Sequence, residues 1–260
     1  MSARSVILNS NNWEEFNQNL VKLDNKEKGN AFELLTKYLF KVVPKYSNIY
    51  KEVWIHNELP QKLKKKFNYS DDIGIDLFAE HSSGEYHAIQ CKYHSDKTKN
   101  VTRSELDGFL AVLQSRPSLN LGYICSSANG YSKNIEKSVS KEIQYILSDD
   151  WQTSIDEYMW AIHKYIKDKA FKIKPYDPRD HQKKAIKEAK KHFKKESRGK
   201  LIFPCGAGKS LTGFWFTQEL KSKNTLIAVP SLSLIKQTLD VYLREIVANK
   251  KNVKWLCICS

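Results

Sequence analysis

Residues 74–93, GIDLFAEHSSGEYHAIQCKY, constrain the fold more than any other stretch. Two apolar-rich runs flank His81-Ser82-Ser83-Gly84, a turn-forming sequence, and this combination predicts a β-hairpin. Side chains alternate between the faces of a strand, so an acid on the first strand can share a face with every second residue of the next. Asp76 lies on the first strand. Gln90 and Lys92 lie on the second and share a face, whereas Cys91 points the other way and leaves its main-chain carbonyl available. A carboxylate, an amide and an ammonium group gathered in this way are either ordinary hairpin surface or a site for a divalent cation and a phosphodiester.

The surroundings of the hairpin predict a mixed sheet flanked by helices. Upstream, NNWEEFNQNLVKL places Trp13, Phe16, Leu20 and Leu23 at helical spacing, and KGNAFELLTKYLFKVV does the same with Phe32, Leu35, Leu39 and Val43. YKEVWI reads as a strand and LPQKLKKKFNYS as a basic loop able to touch phosphate. Downstream, Thr102 and Glu105 form a Thr-x-x-Glu capping box ahead of Leu106, Phe109, Leu110 and Leu113. LNLGYICSS follows as a strand, SKNIEKSVSK as a short helix, EIQYIL as a strand and DDWQTSIDEYMWAIHKYIK as a helix. Pro175 and Pro178 then mark a linker, so the expected division is 1–165, a linker at 166–178, and a second domain at 179–260.

Charge changes at the same boundary. Residues 1–165 carry 21 Lys and Arg against 21 Asp and Glu, and residues 166–260 carry 22 against 8, so the net positive charge belongs to the second part. Such an excess favours polyanions or is simply a solvated lysine-rich surface. No run approaches the length of a membrane span and the N-terminus lacks a secretory signal, so a cytoplasmic protein with no membrane partner is expected. The five cysteines are scattered through apolar runs, which argues against a disulfide framework. His81, His87 and His94 lack the neighbours of a zinc site and read as surface histidines.

In the second part, LIFPCGAGKSLTG sets Gly206-Ala207-Gly208-Lys209-Ser210 between an expected buried strand and a helix. Glycines let backbone amides close around phosphate oxygens, the lysine reaches terminal phosphates, and the serine hydroxyl can join a magnesium shell. Phe203 stands where the full phosphate-loop pattern has its first glycine. Apolar strands are also expected at NTLIAVP and VKWLCICS, with the helix SLSLIKQTLDVYLREIV between them, which predicts a parallel sheet.

Two resemblances follow. From about residue 176 to 260 the chain resembles the opening of a superfamily-two helicase motor, a partial RecA-like parallel α/β lobe. YDPRDHQKKAI matches the adenine-contacting glutamine element, with Gln182 in the contact position, and VPSLSLIKQTL matches motif Ia through Pro230, Ser231 and Gln237. The resemblance implies ATP, held by Gln182, Gly206, Ala207, Gly208, Lys209 and Ser210. Hydrolysis also needs an acidic pair and arginine fingers. Neither follows the loop before Ser260, so the expectation is the front of a longer protein, with ATPase activity only there.

Residues 27–147 resemble the PD-(D/E)xK restriction-endonuclease-like superfamily, in particular its Mrr-like branch, in which Gln-x-Lys replaces Glu-x-Lys. By position, Asp76 is implied as the principal magnesium ligand, Gln90 as the second-strand ligand, the Cys91 carbonyl as a further donor, and Lys92 as the water-orienting cation. Glu33 is implied as a supporting acid, and Asp72 as part of the approach loop or an outer shell. A nuclease fused to such a motor, with EVWIHNELP ahead of the hairpin, resembles the N-terminal part of type ISP restriction–modification enzymes. The expected function is a magnesium-dependent DNA endonuclease domain joined to a truncated translocase lobe. Expected partners are double-stranded DNA, downstream motor, methyltransferase and target-recognition domains, and a second nuclease on DNA. The alternative is a catalytically weak nuclease-fold module that binds DNA as a handle for the motor.

Overall fold

A computed structural model of the chain describes residues 2–68, 74–136 and 139–258. It divides into two compact units, with the chain boundary between Phe171 and Lys172. In the first, helices α1 (Ala3–Leu8), α2 (Trp13–Leu20), α3 (Asn25–Val42) and α4 (Pro44–Ser47) precede strand β1 (Tyr50–Ile55) and helix α5 (Gln61–Lys66). Strands β2 (Leu77–His81), β3 (Tyr86–Lys92) and β4 (Asn100–Val101) follow, then α6 (Asp107–Ser115), β5 (Leu119–Ser126), β6 (Gly130–Tyr131), β7 (Glu142–Ile146) and α7 (Ser148–Asp168). The main sheet has the order β1-β2-β3-β5-β7. Its first two pairings are antiparallel and its last two parallel, so β3 is where the sheet changes sense.

The expected hairpin is β2 and β3, with Leu77 opposite Ile89 and Glu80 opposite Tyr86. Strand alternation decides what each face meets. Phe78, Ala88 and Ile124 pack with Phe109, Leu110 and Leu113 of α6. The opposite parity faces α3: the Phe40 and Tyr123 ring centroids lie 5.1 Å apart. On that side α2, α3 and α7 meet through Trp13 against Trp151 at 5.6 Å and Phe32 against Trp151 at 4.8 Å. Each of these fully buried large side chains contributes roughly 2–3 kcal/mol by burial. Asp24 caps α3 by accepting from the Glu27 amide at 2.8 Å while the Glu27 carboxylate accepts from the Asp24 amide.

Several boundaries differ from the sequence expectation. The supposed basic loop contains α5, because Leu59, Leu63 and Phe67 recur at helical spacing and all three are buried. The helix expected from Thr102 begins at Asp107, after a turn closed by the Leu106 amide on the Arg103 carbonyl at 2.8 Å. The described residues of 132–141 form turns and a single helical position rather than a helix, and 137–138 lie outside the described residues. Helix α7 ends at Asp168, one residue past the expected helix and three past the expected domain boundary at 165, since buried Ile162 and Ile166 extend its apolar stripe, and Lys169 ends it with φ +54°.

The histidines are not all at the surface. His87 is buried, with Nδ1 2.7 Å from the Tyr50 hydroxyl and its ring stacked on His81 at 5.4 Å. Burial, then the neighbouring His81, pushes the His87 pKa down to about 4, against the charges of Glu85 and Glu142. Between about pH 6.5 and 4 the unfolded chain therefore binds a proton that the folded chain refuses, and stability falls as pH falls. Relative to His87→Gln, the wild type should lose up to about 3 kcal/mol across that window in urea titrations. A pH-independent difference between the two would refute this.

The second unit holds α8 (Asp180–His192), α9 (Lys209–Glu219) and α10 (Leu232–Ala248). Phe214, Leu243 and Ile246 form its core, with Trp215, Leu239, Tyr242 and Trp255 packed against them. The three strands expected here are not formed among the described residues, in contrast with the parallel sheet expected of a RecA-like lobe. Ile202 and Leu226 are 80% and 96% exposed, whereas strands of such a sheet are buried on both faces. A parallel strand is held by bonded neighbours, and these segments have none among the described residues.

The chain leading into α8 is clasped by α10. Glu245, fully buried, accepts from the Tyr176 amide with both carboxylate oxygens at 3.2 Å. Arg244 donates to Glu245 at 2.5 Å and to the Lys174 carbonyl at 3.2 Å, and its guanidinium lies 3.6 Å from the Tyr176 ring centroid.

Candidate active site

Asp76 sits one residue before β2, yet its backbone is laced into the sheet. Its amide donates to the Ile89 carbonyl at 3.0 Å, and its carbonyl accepts from His56 at 2.8 Å. Gly74 fixes the approach. Its φ is +72°, and a Cβ there would lie 3.0 Å from the Phe109 nitrogen, so the chain passes hard against the start of α6 where only glycine fits without strain. Asp72 lies outside the described residues.

The period of two that puts Phe78 and Ala88 toward α6 puts Asp76, Gln90 and Lys92 on that same face. Asp76 Oδ2 accepts from Gln90 Nε2 at 2.5 Å and from the Cys91 amide at 2.6 Å. Cys91 points the other way, its Sγ 3.3 Å from Thr36 Oγ1 on α3. Glu33 lies almost one turn before Thr36 on the same helix. Burial, then the charge of Asp76, pushes the Glu33 pKa up to about 7, and Lys92 opposes both. The Asp76 pKa is pushed up to about 6 by burial, against the Cys91 amide, Lys92, His56 and Gln90. Glu33, Asp76, Gln90 and Lys92 are thus gathered into one electrostatic unit.

These residues fit a hard divalent cation. Two carboxylates raised by burial leave more negative charge than Lys92 and the local donors compensate, and carboxylate and amide oxygens are donors that magnesium accepts. Gln90 spends its nitrogen on Asp76, so its oxygen is the atom a cation would take. Among the described residues no three His, Cys, Asp or Glu side chains converge as a metal cluster, so a cation held here would need an amide or a main-chain oxygen as a further ligand.

In the second unit, Gly206 and Gly208 have φ of +75° and +79°, and Lys209 opens α9. This is the glycine-bent loop at a helix start that phosphate binding needs. Lys209 Nζ donates to the Pro204 carbonyl at 3.2 Å, within its own loop. Gln182 is buried: its Nε2 donates to the carbonyls of Ala207 at 3.2 Å and Gly208 at 3.3 Å, and its Oε1 accepts from the Arg179 amide at 2.8 Å. A Cβ on Gly208 would lie 2.5 Å from that Nε2, so the latch itself requires glycine. Ser231 caps α10 through the Leu234 amide at 3.3 Å, with Pro230 just ahead of it and Gln237 within the helix.

Sequence reasoning missed two contacts. The Cys91 amide on Asp76 has no sequence signal, because every residue but proline carries that donor. Glu105, read as a helix cap, also faces His94, with Oε1 3.4 Å from Nε2.

Comparison with known proteins finds two family matches along the chain. Residues 41–165 match the model of a restriction endonuclease family, and residues 175–256 match that of the type III restriction enzyme res subunit. Among solved structures, the chain is similar to an ATP-dependent type ISP restriction–modification enzyme, LlaBIII, bound to DNA. The match has 27% identity and a TM-score of 0.68, and covers 88% of this chain and 15% of that one. No curated protein matches. No helix among the described residues is long and apolar enough to cross a membrane.

Proposed function

We propose, starting from a chain that carries an Mrr-like restriction endonuclease domain followed by a helicase-like region of the type III res-subunit family, that the first unit is a magnesium-dependent DNA endonuclease. The observation that carries this reading is the convergence of Asp76, Gln90, Lys92 and Glu33 at the end of the hairpin, with both acids raised by burial. Asp76, the Gln90 amide oxygen and the Cys91 carbonyl are the residues that would hold magnesium. Bound there, the ion would supply positive charge against the scissile phosphate. Lys92 orients the attacking water and offsets charge developing on the phosphate oxygens. Glu33, with a pKa near neutrality, can take up a proton beside Asp76.

The chain spans 15% of the length of LlaBIII, and a larger assembly with further motor, methyltransferase and target-recognition domains is part of the proposal. The LlaBIII structure contains DNA, which supports double-stranded DNA as the substrate here. A second reading, a DNA-binding handle with weak catalysis, draws on Gln90, a neutral amide, standing where a second carboxylate would bind a cation more strongly. Plasmid nicking by the 260-residue chain separates the two. Nicking in magnesium that is lost in EDTA and in Asp76→Asn supports the nuclease, and equal activity in all three sinks it.

For the second unit, the proposal is ATP bound at Gly206 to Ser210, with Lys209 leaving the Pro204 carbonyl for the terminal phosphates. At an ATP concentration about 100-fold above Kd, binding should protect against unfolding by about 2.7 kcal/mol. Lys209→Ala should abolish that protection in a thermal-shift titration. Equal protection in both chains would remove the lysine from the site.

A further inference from the structure

We infer that the outer face of α5, built from Lys62, Lys64, Lys65 and Lys66, is a docking surface for the phosphate backbone of duplex DNA; the inference rests on the reading of the first unit as a domain that acts on DNA. Leu59, Leu63 and Phe67 recur every four residues and are all buried, which turns the lysines between them outward. Lys62, Lys65 and Lys66 stand at i, i+3 and i+4 and are exposed, and Lys64 beside them is half-buried. Among the described residues none of the four has a carboxylate partner. Glu58, four residues before Lys62, pairs with Lys37, and Glu80, opposite Tyr86 on the hairpin, lies 4.0 Å from Lys51.

The helix itself does not call for these charges. Like charges three or four residues apart destabilise it. Its dipole favours cations in the last turn, but Arg116 already donates to the Phe67 carbonyl there, and Lys62 stands in the first turn, where a cation is disfavoured. Nor do the lysines sample a basic domain, since Lys and Arg balance Asp and Glu over residues 1–165. Uncompensated lysines on one face suit a polyanion, whose condensed counterions they release. Placement selects the duplex at the candidate site, because α5 runs along the hairpin on the side that carries it. Just before the helix the His56 amide donates to the Asp76 carbonyl at 2.8 Å, and at its far end Phe67 stacks on Phe78 at 5.2 Å and meets Tyr86 edge-on at 5.1 Å. Lys66 Nζ, 4.2 Å from the Tyr86 ring centroid, is thereby held beside the start of β3. Tyr86 and Gln90 are four residues apart on that strand, about 14 Å. A duplex carries one charge per roughly 1.7 Å of its axis, so a duplex with a phosphate at Asp76 and Gln90 has others within that span.

Binding of a short duplex by the 260-residue chain, titrated in EDTA over a series of salt concentrations, tests the surface. The double variant Lys62→Gln/Lys65→Gln should lower the slope of log Kobs against log salt by about 2 and weaken binding at low salt by about tenfold or more, with the melting temperature unchanged. Lys62→Arg/Lys65→Arg keeps both charges and should keep the wild-type slope. Lys164→Gln/Lys167→Gln removes the same charge from exposed positions of α7, on the other side of the sheet, and should also keep it. A wild-type slope in Lys62→Gln/Lys65→Gln overturns the inference, leaving the lysines a solvated surface. An equal fall in the α7 variant overturns it too, in favour of a diffuse field, as does a wild type that binds no duplex. Cleavage plays no part in EDTA, so this result stands apart from the nuclease reading, which fails instead if Asp76→Asn nicks as well as the wild type.

Discussion

Asp76→Asn is expected to abolish nicking in magnesium and, in the same preparation, to stabilise the metal-free chain near pH 8. The first effect follows from removing the carboxylate on which Gln90 and the Cys91 amide converge. A loss of about a thousandfold, or about 4 kcal/mol of barrier, is the expected scale. The second follows from the raised pKa. A carboxyl with a pKa of about 6 in the folded chain and near 3.8 in the unfolded one stabilises nothing above both values and costs up to roughly 3 kcal/mol there. That cost is absent below about pH 4 and complete above about pH 7. Asparagine never ionises, so Asp76→Asn should gain on the wild type as pH rises, with EDTA present. In magnesium the gain should shrink or reverse, because the ion stabilises only the wild type. Chemical denaturation at several pH values, with and without magnesium, reads both effects. Asp76→Asn less stable than the wild type at every pH in EDTA would show that the buried charge is already compensated.

Glu245→Ala should produce the largest loss in the second unit. The mutation leaves the Tyr176 amide without its acceptor and Arg244 without its counter-charge, in a place where Glu245 is wholly buried. Breaking a buried pair from one side costs about 3–5 kcal/mol, more than the three small helices around Phe214, Leu243 and Ile246 can spare. Tryptic cleavage between 172 and 258 should accelerate by about tenfold or more, since proteolysis follows the population of the open form. The first unit should keep its resistance. Glu245→Gln, which retains an acceptor for Tyr176, should fall between the two. Cleavage at the wild-type rate in Glu245→Ala would mean that the clasp contributes no stability.

The sheet core was legible because strands and their faces follow from a period of two. Leu77, Ile89 and Cys91 fall on one side and Phe78, Ala88 and Gln90 on the other, so the face shared by Asp76, Gln90 and Lys92 could be read before any coordinates. Helix α5 was not, because four lysines obscured Leu59, Leu63 and Phe67, whose spacing already carried the signal. The phosphate loop was legible from its glycines, both of which adopt positive φ. Its flanking strands were overread: Ile202 and Leu226 have strand-like neighbours in sequence, but a ladder depends on partners that local pattern does not supply. Local pattern likewise gave no sign that the Gln182 amide donates to the loop carbonyls of Ala207 and Gly208. At the candidate site the shared face of Asp76, Gln90 and Lys92 could be read from the pattern, and the field around them could not, because burial of Glu33 and Asp76 is a property of the assembled layers.

The placement of the site on one hairpin also sets an order of assembly. Asp76 and Gln90 are 14 residues apart, while Cys91 and Thr36 of α3 are 55 apart. Hairpins close in about 1–10 μs, whereas contacts distant along the chain wait on the larger loss of loop entropy. During refolding, Asp76 and Gln90 therefore meet while still open to water, where the acid ionises freely. Glu33 joins them only as α3 docks and shuts the water out, so the electrostatic cost of the site falls on the late, long-range step of folding.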